Sequence, residues 1–128
     1  MGGKDGSAFL QDHGWDHWAY RTGTTESGSP IEIVSVQTLA GRYLDATTVP
    51  FILKIDIEGA EKDLFDLADD ATASFPVIVM EPHDFCLPGE GTARPFFKFH
   101  SDKGRDFAFS YENIFSLDMK QLGKRAAA

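Results

Sequence analysis

The length, composition and charge of the chain exclude several classes of protein. With 128 residues, 42% of them hydrophobic, the chain is expected to form one small domain that removes about two-thirds of its unfolded surface from water. A net charge of −8 argues against nucleic acid as a partner, because nucleic-acid-binding proteins usually carry a basic patch. Cys86 is the only cysteine, so no internal disulfide is expected. The polar N-terminus and the lack of an apolar run of about twenty residues predict a cytoplasmic protein without a membrane segment.

Residues 1–30 predict a loop-rich N-terminal segment. They are rich in Gly, Ser, Thr and Asp, and an aromatic island interrupts them at residues 15–20. The near alternation of large rings in this island is compatible with a short edge strand, whereas residues 23–30 have the composition of a loop.

Two strands are predicted between residues 31 and 56. A β-branched run at residues 31–36 predicts the first, and Thr38 is expected to cap a short helix that follows it. The second is predicted at residues 51–56, where an apolar run ends in acidic residues and a glycine. A buried parallel strand delivers polar side chains to the rim of a sheet in this way.

Residues 60–81 predict a helix and a further strand. Apolar residues at positions 60, 64, 67 and 68 predict an amphipathic helix that packs on the sheet, with Glu61 among the acidic residues of its polar face. Pro76 ends this region, and an apolar run at residues 77–81 predicts a strand. Strand, helix and strand together form a βαβ unit with a parallel pair of strands.

Polar side chains follow both strands of this predicted unit. Asp56 and Glu58 come after the first strand, and Glu81 and His83 end and follow the second. The carboxyl ends of parallel strands share one edge of a sheet, and ligands bind in the crevice above that edge. We therefore expect these four residues to converge there.

The C-terminal third predicts a helix and an antiparallel hairpin. Residues 92–104 predict the helix, with Phe96, Phe97 and His100 on one side. Alternating residues on either side of a turn predict the hairpin. The assigned segments are strands at residues 107–111 and 114–117, a turn at residues 112–113, and a tail of frayed helix or disorder at residues 119–128.

Several motifs occur in order along the chain. They are Trp18-Ala19-Tyr20-Arg21, Leu53-Lys54-Ile55-Asp56-Ile57-Glu58-Gly59-Ala60-Glu61, Glu81-Pro82-His83-Asp84 with Leu87-Pro88-Gly89, Arg105-Asp106-Phe107 and Glu112-Asn113-Ile114-Phe115-Ser116. Together, over about residues 15–118, they resemble the FkbM family of S-adenosylmethionine-dependent methyltransferases, and the long motif is similar to its LKIDxEGxE signature.

The resemblance implies a class I, Rossmann-like methyltransferase sheet that ends in an antiparallel hairpin, with residues 31–118 as its C-terminal half. It implies O-methylation of a small molecule or sugar, with S-adenosyl-L-methionine as the donor. The family holds this donor mainly with a glycine-rich turn after the first strand and an acidic residue after the second. Neither is present here, because no apolar strand precedes Gly2-Gly3. The expectation is therefore a truncated, C-terminal portion that needs its missing half or a partner chain.

The resemblance also implies roles for the converging residues. Asp56 and Gly59 are expected to contact the donor, and Asp56 and Glu58 to contact donor or acceptor. His83 is the candidate general base, oriented by Glu81 or Asp84, because methyl transfer to an oxygen requires a deprotonated and aligned acceptor. The alternatives are local: Asp56 and Glu58 cap the following helix, and His83 and Asp84 cap a loop.

Lys54, inside the predicted strand, is expected to pair with a neighbouring carboxylate. A metal site is a further alternative, since Asp12-His13 and Asp16-His17 repeat at i, i+4 and Glu81, His83 and Asp84 add ligands, but no metal ligand is assigned.

A second function of a different class stays open. It is a non-catalytic remnant or interaction module that forms a homodimer or pairs with a partner chain, for which the exposed edge of the strand at residues 51–56 is the expected pairing surface.

Overall fold

The computed structural model describes residues 1–12, 20–23, 28–68 and 70–126. Strands and helices alternate through much of these residues, which makes the fold α/β, and no helix among them is long and apolar enough to span a membrane. The elements are β1 (Gly6–Asp12), β2 (Tyr20–Gly23), β3 (Ser29–Ile33), α1 (Val36–Tyr43), β4 (Ile52–Ile55), α2 (Glu61–Asp66), α3 (Asp70–Ala73), β5 (Val77–Met80), α4 (Arg94–Asp102), β6 (Asp106–Ser110), β7 (Asn113–Leu117) and α5 (Met119–Ala126).

A mixed four-stranded sheet forms the centre of the fold, in the order β4-β5-β7-β6. β4 and β5 are parallel, with Leu53 opposite Ile78, and β7 runs antiparallel to both β5 and β6. The predicted parallel pair and the predicted hairpin are both confirmed. Because β4 and β5 run in the same direction, the residues that follow them emerge at one edge of the sheet.

The hairpin turn lies one residue earlier than predicted. Ser110 pairs with Asn113, so the loop consists of Tyr111 and Glu112, and the turn predicted at residues 112–113 is wrong. Tyr111 has a φ of 53°, as the first central position of some two-residue hairpin loops requires, although glycine is the usual residue there.

Two helices cover one face of the sheet. Phe65 of α2 packs edge-on against Phe96 of α4, with ring centroids 5.0 Å apart. The single helix predicted to run from residue 60 toward Pro76 is instead two short helices, α2 and α3. The buried core cluster contains Val36, Ile55, Leu64, Phe65, Ile78, Met80, Ala93, Phe96, Phe99 and Ile114.

The buried stripes of these helices differ from those predicted. In α2 the stripe runs through Glu61, Leu64 and Phe65, whereas Leu67 is exposed. The prediction that Glu61 lies on the polar face is therefore wrong. In α4, Phe96 and His100 share the buried side, whereas Phe97, predicted to lie on the same side, is exposed.

Arg105 fastens the start of β5 to β7. Its buried guanidinium donates hydrogen bonds to the carbonyl oxygens of Phe75, Pro76 and Ser116 at 2.9 to 3.1 Å, and Nε donates to Ser116 Oγ at 2.8 Å. Buried polar groups need such partners. The motif residue Arg105 therefore has a structural role.

The N-terminal segment forms a second sheet. β1 lies between β2 and β3 and is antiparallel to both, so the described part of residues 1–30, predicted to be loop-rich with a possible short strand, contributes to three paired strands. The described strands have weak local signals because their stability comes from pairing between distant residues. Most of the aromatic island, namely residues 15–19, lies outside the described residues.

The first helix begins earlier than predicted. Ser35 is its N-cap and accepts a hydrogen bond from Thr38 N at 3.1 Å, so the assignment of Thr38 as the cap is wrong. Asp5 accepts from Ser35 N at 2.7 Å and from Thr38 Oγ1 at 2.6 Å. These bonds tie the N-terminus to α1 and lower the pKa of Asp5, chiefly through the bond from the Ser35 backbone.

Most of the predicted tail is the helix α5. The Asp118 carboxylate accepts a hydrogen bond from Gln121 N at 2.9 Å, and Gln121 Nε2 donates to Ala73 O at 3.1 Å. The first bond satisfies a backbone donor in the first turn. The second docks the helix beside α3.

Candidate functional site

The candidate site lies at the carboxyl ends of β4 and β5. Asp56 and Glu81 each directly follow one of these parallel strands. The chain then turns sharply after β4, since Glu58 has a φ of 54° and Gly59 a φ of 97°. A left-handed backbone is unfavourable for a glutamate and is found mostly where the surrounding structure imposes it.

A buried histidine and glutamate form the base of the site. His83 is only 4% exposed and Glu61 is fully buried, and His83 Nδ1 lies 2.9 Å from Glu61 Oε1. The carboxylate can only accept, so Nδ1 carries the hydrogen and Nε2 is directed away from Glu61.

Hydrogen bonding controls the charge of this pair. The bond to Glu61 raises the pKa of His83, although burial opposes this shift. Burial by itself raises the pKa of Glu61, but hydrogen bonds from His83 and from the backbone outweigh it, so the pKa of Glu61 lies below its ordinary value. Both shifts favour a negative carboxylate beside a positive imidazole.

The other predicted residues surround Nε2 of His83. This nitrogen lies 3.4 Å from Glu58 Oε2 and 3.8 Å from Asp56 Oδ1. Lys54 Nζ lies 3.5 Å from Asp56 Oδ2 and 3.4 Å from Glu81 Oε2. The predicted convergence of these side chains is confirmed, and Lys54 pairs with carboxylates as expected, with a half-exposed side chain.

The capping alternatives hold for only one of these residues. No side chain caps α2 at Ala60, so Asp56 and Glu58 are free of that role. Asp84 accepts hydrogen bonds from Thr92 Oγ1 at 2.7 Å and from Ala93 N at 3.2 Å. These bonds hold the loop before α4 and lower the pKa of Asp84, with the Thr92 bond as the largest cause.

Glu61 is the residue that orients His83, and the sequence interpretation missed it. The orienting role had been assigned to Glu81 or Asp84. The signal in the sequence was the spacing of Glu61, Leu64, Phe65 and Ala68, which places an acidic residue on an apolar helical stripe. A carboxylate in that position requires a buried partner.

Gly2 and Gly3 at the N-terminus are packed closely against other elements. A Cβ atom on Gly3 would lie 2.1 Å from the carbonyl oxygen of Asp63, so Gly3 packs closely against α2 and does not form an open turn. An open cavity of about 640 Å³ lies between the N-terminal residues and α2. Asp56, Glu58, Glu81 and His83 do not line it.

Comparisons of the chain with protein-family models, curated proteins and solved structures find no match. Arguments about its function therefore rest on the motifs of the sequence and on the geometry of this site.

Proposed function

We propose that the chain provides the C-terminal half of an S-adenosylmethionine-dependent O-methyltransferase that acts on a small molecule or sugar. The observation that carries the proposal is a parallel β4–β5 pair that continues into an antiparallel hairpin, with ionisable residues gathered at the carboxyl ends of the pair. The FkbM-like motifs of the sequence supply the reaction class.

The site has the groups that an acceptor hydroxyl needs. Asp56 and Glu58 are partly exposed carboxylates that can accept a hydrogen bond from the hydroxyl and align it. His83 is a base with an orienting carboxylate, because Glu61 holds Nδ1 and leaves Nε2 facing Asp56 and Glu58. In its neutral form His83 can take a proton from an acceptor hydroxyl, and the Glu61 carboxylate then stabilises the resulting imidazolium.

Donor binding is assigned to another part of the assembly. S-adenosylmethionine supplies an electrophilic methyl group, but the glycine-rich turn and the acidic residue that hold it in the resembled family have no counterpart among the motifs of this chain. The proposal therefore requires residues beyond the described ranges or a second chain to hold the donor.

Calorimetric titration with S-adenosylhomocysteine tests this proposal. The chain alone is expected to show no tight binding, whereas the chain extended by the coding sequence upstream of Met1 is expected to bind. Tight binding of S-adenosylhomocysteine by residues 1–128 would contradict the inference that the donor site is missing from them. If the extended chain does not bind S-adenosylhomocysteine, the proposal that the chain belongs to a methyltransferase is refuted.

Asp56→Asn tests the site within an active, extended protein. The substitution removes the charge of an exposed rim residue without changing its shape, so the fold is expected to survive and most methyl transfer to be lost. Glu32→Gln, on the distant β3, is the matched control. Full activity of Asp56→Asn would remove this residue from the site.

The second candidate is an interaction module, and one surface favours it. β4 lies at the edge of its sheet, and Ile52 in this strand and Val49 shortly before it are exposed apolar side chains. Such an edge favours pairing with another chain. Sedimentation analysis is expected to detect a dimer that Ile52→Lys weakens and that Phe97→Lys, at an exposed position of α4, does not. A monomer at all concentrations would exclude self-pairing.

A further inference from the structure

Three potential metal-binding atoms lie together at the rim. One oxygen each from Asp56 and Glu81 and one nitrogen of His83 all fall within 4.8 Å of one another. Ligand atoms at about 2.1 Å from a tetrahedrally coordinated ion lie about 3.4 Å apart. A shift of about 1 Å in the carboxylates, which are partly exposed, would therefore close the set around an ion.

The histidine is already held in the orientation of a metal ligand. Its imidazole is almost fully buried, Nδ1 is bound to the Glu61 carboxylate, and the contacts of Nε2 with Glu58 and Asp56 are 3.4 and 3.8 Å. These contacts are longer than an ordinary hydrogen bond. A carboxylate, a histidine and an ion in a row is a recurring arrangement at metal centres, where the carboxylate fixes the tautomer and the ring orientation.

Glu61 supplies an independent observation that the site needs a positive partner. Its oxygen Oε2 is buried and has no hydrogen-bond partner among the described residues. A fully buried carboxylate is costly unless a positive charge compensates it. A metal ion on Nε2 of His83 would provide that charge in place of the proton that makes the imidazole positive.

The local charge balance also favours a cation. Four carboxylates, those of Asp56, Glu58, Glu61 and Glu81, surround His83, and one ammonium group, that of Lys54, lies between two of them. We propose that Asp56, Glu81 and His83 bind a divalent transition-metal ion at the carboxyl ends of β4 and β5, with Glu61 as the residue that positions His83. The ion takes the place of the Lys54 ammonium between the carboxylates.

The ligand set selects the class of ion. Imidazole nitrogen suits the transition metals, whereas sites for Mg²⁺ and Ca²⁺ are built from oxygen atoms. One imidazole and two carboxylates therefore favour ions from Mn²⁺ to Zn²⁺. The exposed side of the rim leaves positions for water or for an acceptor hydroxyl, whose pKa a bound ion would lower. Metal binding is measured without methyl transfer, so its failure and the failure of the proposed function are distinguishable.

Calorimetric titration of the full chain, after treatment with a chelator, tests the ligands with Mn²⁺ and Zn²⁺ as probes. One ion per chain is expected, and Asp56→Asn and Glu81→Gln are each expected to weaken binding by about tenfold or more. Asp102→Asn removes an equal charge from an exposed position on α4 and is expected to leave the affinity unchanged. Circular dichroism checks that each variant is folded.

Unlike the ligand substitutions, Lys54→Met is expected to increase the affinity for the ion. The methionine keeps the length of the side chain but removes the competing charge, so Mn²⁺ is expected to bind at least about fivefold more tightly, the factor for one unit-charge contact at about 4 Å in water. A variant that merely disturbed the rim would bind the ion less tightly. If Lys54→Met binds Mn²⁺ with weaker or unchanged affinity, the inference that the ion takes the place of the Lys54 ammonium is overturned.

Pulsed electron paramagnetic resonance of the Mn²⁺-loaded chain identifies the nitrogen ligand. Modulation from an imidazole nitrogen is expected in the wild-type protein and is expected to be lost in His83→Gln. Failure of the chain to bind either Mn²⁺ or Zn²⁺ would overturn the proposal. So would an ion that binds without nitrogen modulation and whose binding Asp102→Asn weakens as much as Asp56→Asn does.

Discussion

Replacing Glu61 with leucine tests whether the buried pair holds the site together. The substitution removes the acceptor of His83 Nδ1, which lies 2.9 Å away and is almost fully buried. Breaking a buried pair by removing one partner costs about 3–5 kcal/mol. The larger apolar burial of leucine offsets about 1–2 kcal/mol of this cost. The free energy of unfolding is therefore expected to fall by about 1–4 kcal/mol.

A double-mutant cycle separates the pair from its surroundings. Glu61→Leu, His83→Leu and the double variant are compared with the wild-type protein by urea unfolding, followed by circular dichroism in the presence of a chelator. Replacing both partners removes both unpaired groups, so the double variant is expected to recover most of the stability lost in Glu61→Leu. Glu61→Gln keeps an acceptor for Nδ1 and is expected to lose only about 1 kcal/mol.

Two results would refute this reasoning. The first is a Glu61→Leu variant with wild-type stability, because it would mean that His83 does not depend on the carboxylate. The second is simple addition of the two single losses in the double variant, because it would mean that the side chains act independently.

Three further predictions concern other parts of the chain. Tyr111→Gly is expected to raise the free energy of unfolding by about 1 kcal/mol, because it relieves a left-handed backbone at an exposed turn residue; unchanged stability on urea unfolding would contradict the strain. Gly3→Ala is expected to lower it by about 2 kcal/mol and to increase hydrogen exchange in residues 1–12, because its Cβ would meet the Asp63 carbonyl; unchanged exchange would contradict this packing. Burial is the main cause that lowers the pKa of His100, and the positive charge of Arg105 lowers it further. The negative charge of Asp106 acts in the opposite direction. The unfolded state therefore binds this proton more readily, and the stability that neutral His100 contributes is lost as the pH falls below about 6.5. In urea unfolding, the wild-type protein is expected to lose more stability than His100→Asn between pH 7.5 and 5.5. Equal losses of stability in the two proteins would contradict the lowered pKa of His100.

Local patterns in the sequence predicted the central sheet and the residues at its rim. The apolar runs before Asp56 and Glu81 have the length and composition of buried strands, and parallel strands necessarily present their following residues at one edge. The hairpin was predictable because its strands are adjacent in sequence. Its turn was misplaced by one residue because Tyr111 adopts a backbone conformation that its residue type does not signal.

The sequence by itself determined the parallel pair, the hairpin and the gathering of Asp56, Glu81 and His83, because these depend on local periodicity and strand direction. Only the tertiary structure decided that Glu61 is buried against His83, 22 residues away, and that residues 6–33 contribute strands to a second sheet. Partners distant in sequence decide both features. A glutamate on a short helix has no local signal that separates a solvated side chain from one that holds a histidine.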